Sequence, residues 1–235
     1  MAEIAENLLA VTGRIGEACL RAGRESSSVE LIAVSKTIAA ESISEAFAAG
    51  QIIFGESRLQ EAEGKLESLP CSLRWHFIGR VQRNKVRKLL PLFDLIHAID
   101  SFKLAAYTDD IAKELGLYPK VLLQINIANE SSKAGFPPDE IRAEMESLLK
   151  LNRLEILGLM CIPPPGPDAE SSRTWFSQLR SLRDSLEAEF GVELPVLSMG
   201  MSGDFEVAIE EGATHVRVGS AIFGKRSYRV DGELG

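Results

Sequence analysis

A lysine that closes an apolar segment is the first residue of this sequence equipped for covalent chemistry. Lys36 ends the run Ala33-Val34-Ser35-Lys36-Thr37. An ammonium held partly out of water there loses basicity, and the freed amine can form a Schiff base with a carbonyl compound. A solvated rim lysine is the plainer reading of the same spacing. Two later segments are rich in groups that hold anions: Ser198, Gly200, Ser202 and Gly203 crowd one, and Gly219 with Ser220 opens another. Small residues let backbone approach a phosphate closely, and N–H groups at a helix start supply donors. The same residues also serve as turns and caps, with Ser202 as N-cap of a helix beginning near Asp204. Asp204 itself argues against an anion unless its carboxylate points away. Arg217, between Val216 and Val218, is the third case. Facing inward, it would be costly without an acceptor or anion, so it meets a phosphate, a pyridine nitrogen or a carboxylate. An amine and a phosphate cradle together point to a phosphorylated aldehyde or ketone. That is either pyridoxal 5′-phosphate (PLP) or a sugar phosphate handled by a lysine-dependent aldolase.

The elements that must position these groups alternate along the chain. Strand segments are expected at Leu31–Ser35, Ile52–Phe54, Arg74–Ile78, Leu95–Ile99, Val121–Ile127, Leu154–Cys161, Pro195–Leu197 and Thr214–Val218. Helical spacing of apolar residues fills the intervals, at about 41–49, 56–67, 83–90, 102–115, 138–150, 169–190 and 203–210, after a helix near 3–22. Continuous rather than alternating apolar strands fit parallel strands buried on both faces. The fold expected is therefore α/β, a single (β/α)8 TIM barrel, with an open doubly wound sheet as the alternative. In such a barrel the working face lies where strands end, which is where Lys36, Ser57, Ser202, Gly219 and Ser220 fall. One domain is expected over 1–235, with a short C-terminal tail at about 225–235.

Composition narrows the function classes. The 235 residues carry 26 Lys+Arg against 34 Asp+Glu, a formal charge of −8, which argues against a nucleic-acid or other polyanion binder. The basic run Arg80–Lys88 reads as a solvated helix face. Cys19, Cys71 and Cys161 form no C-x-x-C pair, so a reduced cytoplasmic setting is expected. No zinc spacing is present, and His76, His97 and His215 read as core histidines. The acidic N-terminus is no signal peptide, and no apolar run suits a membrane span.

Several segments in order also resemble the YggS/PROSC family of PLP-binding, PLP-homeostasis proteins. They are Ala33–Thr37, Phe54-Gly55-Glu56, Trp75–Gly79 with Gln82, Asn84 and Lys85, Gln124–Ile127 with Lys133 and Gly135, Gly158-Leu159-Met160, Leu197–Ser202 with Asp204, and Val216–Gly219 with Ile222-Phe223-Gly224. The resemblance implies a barrel similar to the N-terminal domain of alanine racemase. It implies that Lys36 holds PLP as an internal aldimine, that Ser202, Gly219 and Ser220 take the phosphate, and that Arg217 faces the pyridine nitrogen. Met199, Ile78 and His76 would be pocket walls. Where the family has Gly-Glu-Asn this chain has Gly55-Glu56-Ser57, so Ser57 reaches the phenolic oxygen only through water. An always-protonated arginine would keep the ring nitrogen unprotonated and the cofactor a poor electron sink. Related racemases add a second domain, for which the length leaves no room. Binding and delivery of PLP by a monomer, with apo PLP-dependent enzymes as recipients, is expected over turnover. A small racemase-like PLP enzyme and a sugar-phosphate aldolase remain the alternatives.

Overall fold

The computed structural model describes residues 2–130 and 133–224; the expected tail at 225–235 lies outside them. Eight parallel strands close on themselves in chain order: β1 (Glu30–Val34), β2 (Ile53–Glu56), β3 (Arg74–Phe77), β4 (Leu95–Ile99), β5 (Lys120–Ile125), β6 (Glu155–Cys161), β7 (Val196–Met201) and β8 (His215–Val218). Closure comes from β8 pairing with β1, in a register that sets Glu30 beside His215 and Ile32 beside Arg217. The open-sheet alternative is thereby excluded.

Each strand returns through a helix on the outside. These are α2 (Ala40–Ala48), α3 (Leu59–Ser68), α4 (Val86–Leu89), α5 (Phe102–Leu115), α6 (Pro138–Leu149), α7 (Arg173–Phe190), α8 (Phe205–Glu210) and α9 (Ser220–Phe223), preceded by α1 (Ala2–Arg21). The ends are written in the sequence. Ser101 Oγ accepts the Leu104 N–H at the start of α5, and Gly116 and Gly191 end α5 and α7 at φ 68° and 64°, a left-handed conformation that costs glycine least. The N-terminal helix lies against the last two. Asn7 Nδ2 donates to Ile222 O at 3.0 Å, and Arg14 and Arg21 pair with Glu206 and Glu210 at 2.9 and 2.8 Å.

One strand departs furthest from expectation, more than the second, which runs on to Glu56 where a helix is expected, or the fifth, which stops at Ile125. The seventh continues from Leu197 to Met201 through a register shift against β8, with Gly200 at φ 90°. A Cβ on Gly200 would stand 2.6 Å from Ala208 Cβ and 2.9 Å from Phe205 Cα, so the bare backbone lets α8 fold tightly onto the strand that precedes it.

Candidate functional site

The C-terminal mouth of the barrel holds a cavity of about 390 Å³. Its wall joins Lys36, Ser57, Ile78, Ser202, Arg217, Gly219 and Ser220, which the sequence singled out, with Val34, Ile38, Ile162, Met201 and Phe223. Residues from opposite ends of the chain meet here because β8 lies against β1, and Gly219 sits over the end of β1. A Cβ on Gly219 would be 3.2 Å from both Val34 Cβ and Val34 O.

Lys36 is half-buried and stands on a tightly anchored turn. Behind it Lys65 Nζ, from α3, donates to Ser35 O at 2.7 Å, Glu56 Oε1 at 2.7 Å and Glu61 Oε1 at 2.6 Å. Ser35 Oγ donates to the same Glu56 oxygen at 2.7 Å. On the other side the Thr37 N–H donates to Glu61 with Thr37 at φ 65°, a region uncommon for a β-branched residue. Both neighbours of Lys36 are thus fixed by one ion cluster. Burial raises the pKa of the Glu56 carboxyl, with Lys65 and Ser35 opposing the rise. Glu56 belongs to a motif in the sequence but has no task there. A carboxylate inside a strand, followed by Glu61 and Lys65 four apart, is the signal that points to one.

Arg217 is 4% exposed. Nη1 donates to Ser198 Oγ at 2.5 Å and Nη2 to Cys161 O at 2.9 Å. Among the described residues it makes no salt bridge, so a barrel carboxylate is not what meets it. Burial lowers its pKa, while Cys161 and Asp204 act in the opposite sense; arginine stays charged even so. Cys161 is itself wholly buried, its thiol pushed up to about 12 by burial, and does not reach the cavity.

The seventh and eighth βα loops are tied together. Ser202 Oγ accepts the Gly219 N–H at 3.2 Å, so Ser202 is not the N-cap of α8 that its position predicts; Asp204 occupies that place. Asp204 is turned away from the mouth, its Oδ1 accepting Met201 N–H at 2.7 Å and its Oδ2 accepting Ser172 Oγ–H at 2.9 Å. The first N–H groups of α9, on Ser220 and Ala221, have no acceptor within the helix.

Two expected wall residues lie elsewhere. His76 is completely buried and lines a different hollow of about 640 Å³ at the base of the barrel. It shares the inward face with Ile78, but two residues along a strand is a step of about 6.6 Å, which carries it below the mouth. Met199 is also fully buried and packs in the core. Ser198 points into the barrel, so strand alternation turns Met199 outward, and Met201 supplies the methionine of the wall. The basic run, for its part, is spent on local pairs: Arg80 with Asp100, Arg87 with Glu114, Lys88 with Glu63, and Arg83 stacked over Tyr107.

Known proteins share this architecture. A family model described as alanine racemase, N-terminal domain, matches residues 15–227. A pyridoxal phosphate homeostasis protein of Aquifex aeolicus (strain VF5) is 45% identical over 224 residues, 95% of this chain and 98% of that one. PipY of Synechococcus elongatus PCC7942, in a structure with PLP bound, is 44% identical with a TM-score of 0.81, over 94% of this chain and 100% of its own. An alanine racemase of Clostridium difficile 630 has a TM-score of 0.76 at 18% identity, over 96% of this chain and 60% of that one; this last likeness is one of fold.

Proposed function

The chain belongs to the family of pyridoxal phosphate homeostasis proteins, built on a barrel of the alanine racemase N-terminal kind, and from that premise we propose that its mouth binds PLP and holds it without turnover, in the service of the cell's PLP balance. The residues present fit that group. Lys36 supplies a primary amine for the aldehyde carbon. Ser202 and Ser220 offer hydroxyls and the Ser220 N–H a backbone donor to the phosphate, while Gly219, whose N–H is held by Ser202 Oγ, lets the backbone come close, and Arg217 brings a buried cation with spare N–H groups and, among the described residues, no carboxylate against it. Ser57 would meet the phenolic oxygen through water, and Ile78 and Met201 would flank the ring. When bound, PLP supplies an electron-accepting ring that acidifies the α-carbon of an amino acid.

The observation that carries the non-catalytic reading is the composition of the wall. Among the described residues that line the mouth, Lys36 alone carries a group suited to both take and give a proton; the others are apolar groups, hydroxyls, glycines and an arginine. Racemisation needs an acid and a base on opposite faces of the substrate, and this wall offers one amine. An arginine opposite the ring nitrogen would donate to it and never give up its proton, so the ring would be a weak electron sink. Among the described residues the same wall places no carboxylate or histidine beside the lysine to act as a base for aldol cleavage.

We read 1–235 as one PLP-binding domain, working in the cytoplasm as a monomer and passing PLP to apo PLP-dependent enzymes. The free thiols of Cys19, Cys71 and Cys161 accord with a reduced compartment, and no helix among the described residues is long and apolar enough to cross a membrane. Titration with PLP, followed by absorption and by deuterium exchange at the α-carbon of added alanine, tests the proposal. Saturable uptake with no exchange above the free-cofactor rate is expected. Lys36-dependent exchange would make the protein an enzyme instead.

A further inference from the structure

A line of hydrogen bonds runs from Arg217 down the inside of the barrel toward its base. Arg217 Nη1 donates to Ser198 Oγ at 2.5 Å. Ser198 Oγ lies 2.9 Å from His97 Nδ1, and His97 Nε2 lies 3.1 Å from His76 Nδ1. All four residues are 4% exposed or less. The line ends at His76 Nε2, which is buried and has no partner among the described residues, beside the ring of His215 at 5.9 Å.

The direction of the protons in this line follows from how many buried groups each arrangement leaves unpaired. A guanidinium only donates, so Ser198 Oγ is an acceptor toward Arg217. If Ser198 in turn donates to His97 Nδ1, then His97 carries its proton on Nε2 and gives it to His76 Nδ1, and His76 also carries its proton on Nε2. Only that last N–H lacks a partner. If the histidines ran the other way, His97 Nδ1–H would also point at Ser198 Oγ. The serine proton would then have no acceptor among the described residues, and His76 Nε2 would be a lone pair without a donor. Two buried groups left unpaired cost more than one. Deep burial also lowers the pKa of His76 to about 3 and that of His97 well below its ordinary value, so each ring carries a single proton to place.

We propose that Ser198, backed by His97 and His76 as Nε2–H tautomers, is the positioning residue for Arg217. The one-way line fixes one edge of the guanidinium, Cys161 O fixes another, and the remaining N–H groups are held toward the mouth. The inference deepens the PLP reading and rests on it where the cofactor is concerned, since it assigns to these residues the aim of the group that meets the ring. The line itself is a property of the protein alone.

The two parts are tested separately. In ¹⁵N-histidine-labelled protein without PLP, three histidines give three assignable ring systems. His76 and His97 should both show the Nε2–H pattern, unchanged between pH 5 and 8. An Nδ1–H pattern at His97, or titration of either ring in that range, overturns the one-way line without needing a variant. With PLP, Ser198→Ala should still become covalently labelled at Lys36 on borohydride reduction. Its absorption maximum should shift, and its affinity should fall about tenfold, the worth of roughly one charge-assisted hydrogen bond. Ser198→Thr, which keeps the hydroxyl, should restore the absorption maximum of the unaltered protein. A Ser198→Ala spectrum and affinity equal to the parent's would overturn the positioning role. Failure of the parent protein itself to take up PLP would instead overturn the cofactor reading, whatever the tautomers prove to be.

Discussion

The two ends of the barrel treat charge in opposite ways. At the base, Glu30 lies 3.1 Å from His215 and 3.3 Å from Arg74, and Asp94 accepts the Trp75 N–H at 2.7 Å. Each of these charges has an opposite charge or a donor beside it. At the mouth, Arg217 is buried with two neutral acceptors and no carboxylate among the described residues, although Asp204 is near enough to be felt and is turned to other partners. The base hollow is the larger of the two, yet its matched charges mark it as part of the scaffold. An unmatched cation costs the folded protein free energy until an anion or acceptor arrives, and that imbalance, more than size, marks the end where a ligand belongs. The difference also shows what a phosphate would meet on a chain of net charge −8: a local set of donors, not the attraction of the protein's overall field.

Disabling the mouth should abolish binding and spare the fold. Lys36→Ala should lose covalent retention of PLP entirely, seen as no cofactor mass on the protein after borohydride, while its melting temperature without PLP stays within a few degrees of the parent. The cluster behind Lys36 is the place where mouth and scaffold are joined. Lys65→Met leaves Glu56 buried and unpaired, which should cost about 3–5 kcal/mol and lower the melting temperature by roughly 6–20 °C. Adding Glu56→Gln to it should recover part of that loss in a thermal scan.

Arg217→Met separates the two ends further. Removing an unmatched buried charge should leave the apo protein no less stable, as buried charges replaced by apolar groups of similar size often do, whereas PLP affinity by absorption titration should fall about tenfold or more. A large loss of apo stability would show that the arginine is scaffold after all. The smallest effect belongs to the base. His215 and Arg74 hold the Glu30 carboxyl at about 2, below its ordinary value of 4.5. The stability from this pair is therefore fully present above about pH 4.5 and is lost as pH falls toward 2. Glu30→Gln should flatten that acid limb in a denaturant titration, cost under about 1 kcal/mol at neutral pH because the pair is partly solvated, and leave PLP uptake unchanged.

Much of this arrangement is legible in the order of residues alone. Continuous apolar strands of five or so residues, each followed by a helical repeat and several of those closed by a glycine such as Gly116 or Gly191, admit few folds other than a parallel barrel, and the residues after each strand then belong to one face. That rule finds Lys36, Ser57, Ser202, Gly219 and Ser220. It fails on depth and facing, which strand position alone does not give. His76 and Ile78 obey the same alternation but lie at different heights. Met199 falls in the expected wall only if the seventh strand ends at Leu197; its serine and glycine residues look like loop, and the register shift with β8 shows that the strand continues. The three histidines read as isolated because they are far apart in sequence. They share one parity on β3, β4 and β8, with ring centroids 5.2 to 6.2 Å apart, and parity combined with barrel closure is the signal that joins them. The Glu56–Lys65–Glu61 cluster needs the same step, from residues near in sequence to the strand and helix that bring them under Lys36.

If the mouth holds PLP, it does so through Lys36, and covalent capture reads that bond without an intermediary. The protein is incubated with PLP, reduced with borohydride, digested, and its peptides weighed by mass spectrometry. One reduced PLP adduct per chain is expected, on Lys36, with the base-end variant Glu30→Gln labelled as fully as the parent. An unlabelled Lys36, or stoichiometric labelling at any other lysine, would contradict the assignment of the mouth as the PLP site.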